Sequence, residues 1–94
     1  LINSRRQNAK YYQKKLKKFK EIKIHEEPIG YKHVYQLYSI QLPSKKIRDG
    51  LSKFLAKKGI MSKVFFYPVH ETTYYKKIQQ YSSLKNTEDV SKRI

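Results

Sequence analysis

Val34-Tyr35-Gln36-Leu37-Tyr38-Ser39-Ile40-Gln41-Leu42-Pro43-Ser44 is the stretch whose reading decides the fold. Val34, Gln36, Tyr38, Ile40 and Leu42 fall on one side of an extended chain, and only Gln36 interrupts the apolar face, so the alternation predicts a strand over 34–42. An unpaired buried amide costs about 1–3 kcal/mol, which places Gln36 either at an exposed edge or beside a site. Pro43 ends the strand and Ser44 can cap a following helix. Ile47, Leu51, Phe54 and Leu55 recur at helical spacing as its buried stripe, and Gly59 supplies the stop. Gly50 inside that helix costs about 1 kcal/mol relative to Ala, which the stripe outweighs. Ile60 to Tyr67, rich in aromatic and β-branched residues, predicts a second strand ended by Pro68. A single helix between two strands favours a right-handed crossover with the strands parallel.

Upstream, Asn3 or Ser4 can cap a helix running to about Lys20. Ala9, Tyr12, Leu16 and Phe19 make its apolar stripe, and Lys10, Lys14, Lys15, Lys17 and Lys18 lie mostly off it, as the solvated side of an amphipathic helix. Ile22 to Ile24 is a candidate short strand, and Glu26 to Lys32 a loop around Pro28 and Gly30. Downstream, a short helix is expected from about Thr72 to Tyr81, with Tyr74, Ile78 and Tyr81 on one side. Asn86 or Thr87 opens a last helix, with Glu88 and Asp89 in its first turn and Lys92 and Arg93 further on, an order that complements the helix dipole.

The predicted order is helix, strand, helix, strand, helix, helix: an α+β fold, a small sheet with helices packed on one face. The organisation expected is one domain over 1–94, with 1–20 a linker helix and 21–94 the small α+β body. The chain opens without an initiator Met, and the apolar stripe begun by Val90 and Ile94 is left unfinished. Both ends therefore read as cuts, with a further strand expected past Ile94.

Ninety-four residues, 38% of them hydrophobic, suit one modest core and argue against full disorder. The net charge of +15, from 22 Lys and Arg against seven Asp and Glu, attracts polyanions such as nucleic acid, an acidic membrane surface or a phosphorylated substrate. A lysine-rich genome or an acidic partner domain accounts for the same charge without a specific polyanion. The absence of cysteine excludes disulfides and cysteine-based metal sites or nucleophiles. No apolar run approaches the roughly 20 residues of a membrane-spanning helix, and Leu1 to Arg6 lack the apolar centre of a secretory signal. A soluble cytoplasmic protein is the expectation, without a membrane partner.

The three histidines, His25, His33 and His70, do not pair at metal spacing, so no metal ligands are expected. No Ser/His/Asp set is legible, and with three glycines there is no glycine-rich phosphate loop. Catalytic residues are not expected in this chain by itself. Tyr67-Pro68-Val69-His70 stands out because a strand end is a common place for binding groups, and the proline lets Tyr and His project together. An ordinary strand-to-helix loop accounts for the same residues. Lys10-Tyr11-Tyr12 and Tyr74-Tyr75-Lys76-Lys77 interleave charge and rings as single-strand-binding surfaces do. Tyr12 and Tyr74 belong to predicted core stripes, however, and the signatures of common nucleic-acid modules are lacking. A basic nucleic-acid-binding module and a non-catalytic interaction fragment are the alternatives to the reading that follows.

Arg6 through Leu16, with Asn8-Ala9, Tyr12 and Leu16, resembles the linker helix of the DegT/DnrJ/StrS-type sugar aminotransferases. His33-Val34-Tyr35-Gln36-Leu37-Tyr38 is similar to the family's next strand, with Gln36 where His or Asn is expected. Arg48-Asp49-Gly50-Leu51, Leu55 and Lys58-Gly59-Ile60 resemble the helix leading into the following strand. Tyr67-Pro68-Val69-His70 and the run from Leu84 and Asn86 to Ile94 resemble the segments after it. The resemblance implies the C-terminal small domain of a fold type I, pyridoxal-phosphate-dependent aminotransferase. The Schiff-base lysine and the phosphate-binding groups of such an enzyme belong to a large N-terminal domain outside this sequence, so no lysine here takes that role. It further implies amino transfer, with glutamate as donor, to a keto group of a nucleotide-linked sugar, in amino-sugar or surface-polysaccharide biosynthesis, by a homodimer when full length. The substrate contacts it implies are Tyr67 and His70, with His33 and Tyr31 behind them.

Overall fold

The computed structural model describes residues 1–64, 67–78 and 83–94. It has the expected α+β composition and divides into two compact units, Leu1–Gln41 and Leu42–Ile94.

The first unit holds helix α1 (Ile2–Leu16) and strands β1 (Lys23–Ile24) and β2 (Ile40–Gln41). Helix α1 starts from Leu1 without a side-chain cap, so neither Asn3 nor Ser4 caps it, and it ends at Leu16 rather than near Lys20. Two successive turns explain that end: the Phe19 amide donates to the Leu16 carbonyl at 2.9 Å and Ile22 to Phe19 at 3.2 Å. Of its apolar stripe, Ala9 is buried, whereas Tyr12 and Phe19 are about half exposed. Tyr12 stacks on Tyr38 with ring centroids 5.1 Å apart.

Strands β1 and β2 pair antiparallel, Lys23 opposite Gln41 and Ile24 opposite Ile40. The expected parallel pair across a helix is therefore corrected. The partner of β2 precedes it in the chain, and among the described residues of 60–67 no strand forms. The long strand expected over 34–42 is likewise confined to Ile40–Gln41. Tyr35 breaks it, with φ at +48°, a left-handed conformation incompatible with a β-ladder. Gln36 is exposed and lies outside the ladder.

The second unit holds α2 (Lys45–Lys57), a single 3-10 turn at Val69–Glu71, α3 (Thr73–Ile78) and α4 (Lys85–Arg93). Ser44 caps α2 as its sequence predicts, its Oγ accepting from the Ile47 amide at 3.3 Å, and Gly59 stops it with φ +74°. The stripe expected to be buried is only partly so: Leu51 and Leu55 are half-buried, while Ile47 and Phe54 are 49% and 55% exposed. Helix α3 covers the described part of the helix expected over 72–81, and Tyr81 lies outside the described residues.

Helix α4 begins at Lys85, one residue ahead of the expected Asn86 or Thr87, and neither of those caps it. Its far end is tied to the start of the unit, since the Leu42 amide donates to the Arg93 carbonyl at 2.7 Å and Leu42 is buried. Arg48 of α2 adds a second tie, donating to the Ser91 carbonyl at 2.7 Å while Asp49 Oδ1 accepts from its Nε and Nη2. Among the described residues no helix is long and apolar enough to cross a membrane.

Candidate functional site

Each unit builds one polar cluster around a histidine, and each cluster is organised by a glutamate. In the first unit, Arg6 lies one turn into α1 and reaches Glu27 in the loop after β1. Its fork donates twice, Nη1 to Oε2 at 2.5 Å and Nη2 to Oε1 at 3.0 Å, and Nη1 also donates to the His33 carbonyl at 2.7 Å. Such a bidentate charged pair fixes geometry as well as charge. Glu27 Oε2 in turn accepts from the His33 amide at 2.5 Å. The Arg6 guanidinium, with the His33 N–H behind it, holds the Glu27 carboxyl down at about 2, below its ordinary 4.5. Arg6 is raised reciprocally by the same contact.

Gripped by both backbone groups, His33 turns its ring onto the chain ahead. Its Nδ1 accepts from the Tyr35 amide at 2.8 Å, and the two rings lie 4.2 Å apart. A nitrogen that accepts carries a lone pair, so neutral His33 holds its proton on Nε2. This local bond compensates the left-handed backbone of Tyr35. Its hydroxyl accepts from Gln13 Nε2 at 3.2 Å. Tyr38 packs nearby within this unit, and its buried hydroxyl has no hydrogen-bond partner among the described residues. Burial pushes the Tyr38 hydroxyl pKa upward.

In the second unit the glutamate grips the ring itself. Glu88 Oε1 lies 3.0 Å from His70 Nε2, and the side chains are 25% and 12% exposed. The same oxygen accepts from the Leu84 amide at 3.1 Å and the Ser83 hydroxyl at 3.4 Å. Glu88 thus closes the open start of α4, the role that no Ser, Thr, Asn or Asp fills there. The His70 contact first, and the Leu84 amide second, draw the Glu88 carboxyl below its ordinary range. An ionised carboxylate can only accept, so His70 carries its proton on Nε2. In the neutral ring Nδ1 then keeps a lone pair, with no partner among the described residues. Pro68, immediately before the 3-10 turn that carries His70, is buried and anchors that turn.

Of the four residues singled out from the sequence, His33 and Tyr31 lie in the first unit and Tyr67 and His70 in the second. Tyr31 and Tyr67 are 74% and 65% exposed and carry no side-chain hydrogen bond to a described residue. Sequence reasoning did not find Glu27, Tyr35 or the His70–Glu88 contact. For Glu88 a signal existed, its place in the first turn of a helix, but nothing local tied it to His70. The histidine spacing also hid a convergence: His70, Glu71 and Glu88 bring ligand-type atoms within 4.8 Å of one another. Within it, Glu88 Oε1 is engaged by three donors, and His70 and Glu88 form a hydrogen-bonded imidazole–carboxylate pair.

The profile of the DegT/DnrJ/EryC1/StrS aminotransferase family matches residues 1–94. A curated relative, the GDP-perosamine synthase of Vibrio cholerae, is 32% identical over 95 residues, covering 99% of this chain and 26% of the relative. The chain thus spans about a quarter of the length of the relative it matches.

Proposed function

The chain belongs to the DegT/DnrJ/EryC1/StrS aminotransferase family, and from that membership we propose that it serves as the small domain of a pyridoxal-phosphate-dependent aminotransferase acting on a nucleotide-linked keto sugar. The observation that carries the reading is the match of all 94 residues to one family. The likeness to a GDP-perosamine synthase supports a sugar nucleotide as the acceptor. Glutamate is the proposed amino donor, and the proposed enzyme is a cytoplasmic homodimer.

On this reading no lysine of this chain forms the cofactor's Schiff base. Every lysine in the chain is exposed, and none sits in the desolvated pocket that keeps a lysine amine neutral and nucleophilic. The reading therefore assigns cofactor binding to protein outside these residues, and no chemical step is routed through this chain.

What the chain supplies is orientation. His70, with Nε2–H committed to Glu88, offers Nδ1 as an acceptor suited to a sugar hydroxyl. Tyr67, two residues before the turn, offers an exposed phenol that donates or accepts. His33 offers the opposite polarity, an Nε2–H donor, and Tyr31 a second phenol. Contacts of this kind raise the rate by fixing the acceptor carbon against the reacting group.

The test is expression of the complete gene product that contains the chain. It is expected to copurify with pyridoxal phosphate, visible by absorbance, and to move an amino group from glutamate to a nucleotide-linked keto sugar. A complete product with neither the absorbance nor the transfer overturns the reading.

A further inference from the structure

Eight Lys and Arg stand before the first acidic residue of the chain, Glu21, so nothing within α1 offsets its charge. Buried Ala9 marks the inward side of that helix. At about 100° per residue, Tyr11, Lys14, Lys15 and Lys18 lie roughly 120–180° away from it, Lys18 in the turn that prolongs the helix. All four are exposed. The outward face of α1 is thus one phenol ring set among three ammonium groups.

The ring is supported from behind. Tyr11 is 61% exposed and meets Tyr12 edge to face, with centroids 6.4 Å apart, and Tyr12 in turn stacks on Tyr38 at 5.1 Å. A ring anchored in such a ladder loses little freedom when a flat partner settles on its open side. Lys15 lies over the Tyr11 ring at 5.6 Å, and Lys18 lies over Phe19, itself 45% exposed, at 5.1 Å. Lys14 has neither a ring nor a carboxylate partner among the described residues. Rings and cations therefore alternate along the surface, about 5–6 Å apart along the axis for each helical turn.

These are the two things a single strand of nucleic acid requires, flat faces for its bases and cations for its phosphates. Other polyanions fit less of the surface. A bilayer needs a continuous apolar side to enter its headgroup boundary, and the apolar stripe of α1, through Ala9 and half-buried Leu16, is turned inward. An acidic protein would engage the lysines and leave Tyr11 without a stacking partner. A duplex keeps its bases stacked on one another.

We infer that the outward face of α1 binds single-stranded nucleic acid, with a base stacked on Tyr11 and Lys14, Lys15 and Lys18 on the flanking phosphates. Lys15 covers the ring in the free chain and moves to a phosphate when a base takes its place. Such binding does not depend on the aminotransferase reading.

The test is fluorescence anisotropy of a labelled single strand of about 12 nucleotides, titrated with the complete gene product that contains the chain at several salt concentrations. Tyr11→Ala, which leaves the charge unchanged, is expected to weaken binding about tenfold, and Tyr11→Phe, which keeps the ring, no more than about twofold. Lys14→Gln with Lys18→Gln should flatten the slope of log affinity against log salt by about 1.4, two single-strand phosphate contacts at about 0.7 each. Lys46→Gln with Lys53→Gln, at exposed positions of α2, should leave the slope as it is. Tighter binding of a ribo-oligomer assigns the strand to RNA, tighter binding of a deoxy-oligomer to DNA, and equal affinity to single strands of either kind. Absence of binding, or an affinity that Tyr11→Ala leaves unchanged, overturns the inference. So does a duplex that binds more tightly, a sulfated polysaccharide that competes equally for each charge, or binding to phosphatidylserine vesicles in place of the oligomer.

Discussion

The two histidine clusters use the same parts to opposite effect. Glu27 takes the backbone of His33 and leaves its ring free to accept from Tyr35, so the open nitrogen is a donor, Nε2–H. Glu88 takes the ring of His70, so the open nitrogen is an acceptor, Nδ1. In the neutral form both rings carry the same tautomer, yet they present opposite polarity. A histidine's chemistry is thus set less by which residue surrounds it than by which of its atoms is already spent. The clusters also differ in their other duty. Glu27 is neutralised by an arginine and stabilises a loop, whereas Glu88 completes a helix start and leaves its charge shared with an imidazole.

The contrast is broken most severely by truncating the rings in the complete gene product. His70→Ala is expected to lower kcat/KM for the proposed nucleotide-linked sugar by about 10–100-fold, the cost of one lost polar contact to substrate. His33→Ala, which removes a more exposed ring, is expected to cost less than His70→Ala by several-fold. Steady-state kinetics of both variants decide it, and a larger loss at His33 reverses the assignment of roles. Far-ultraviolet circular dichroism of each variant separates a lost contact from a lost fold.

Acid sharpens the same contrast with a smaller effect. The folded pKa of Glu27 lies below its ordinary 4.5, so its contacts contribute stability above that value and lose it as pH falls through about 2. The chemical shift of the His33 amide proton, which donates to Glu27, should therefore follow the Glu27 carboxyl with a midpoint near 2. A midpoint near 4.5 would mean that the Arg6 fork does not form.

What the sequence disclosed followed range. Ser44 and Gly59 bracket α2 correctly because a cap and a left-handed stop act within a few residues. The apolar spacing that marks α1, and the helical character of 85–93, are local in the same sense. The strand over 34–42 failed for a non-local reason. Alternation sees Val34, Tyr38 and Ile40 but not a glutamate six residues upstream that seizes the His33 amide and turns Tyr35 out of the ladder. The parallel crossover failed likewise, since β2 took as its partner the two residues of β1, too short a strand to outweigh other pairings by pattern. His70 and Glu88 stand 18 residues apart, and a helix-start glutamate is legible as a cap without any hint of the ring it also holds. The partly exposed stripe of α2 shows the same limit: spacing marks Ile47 and Phe54 as one face but does not say what covers it.

The most direct test of this account is the nitrogen chemical-shift pattern of the His70 imidazole at alkaline pH, where an ordinary histidine is neutral. The account predicts a protonated Nε2 bonded to Glu88 and a pyridine-type Nδ1, with the preference weakened by Glu88→Gln. A proton on Nδ1, or an even exchange between the two nitrogens that Glu88→Gln leaves unchanged, contradicts it.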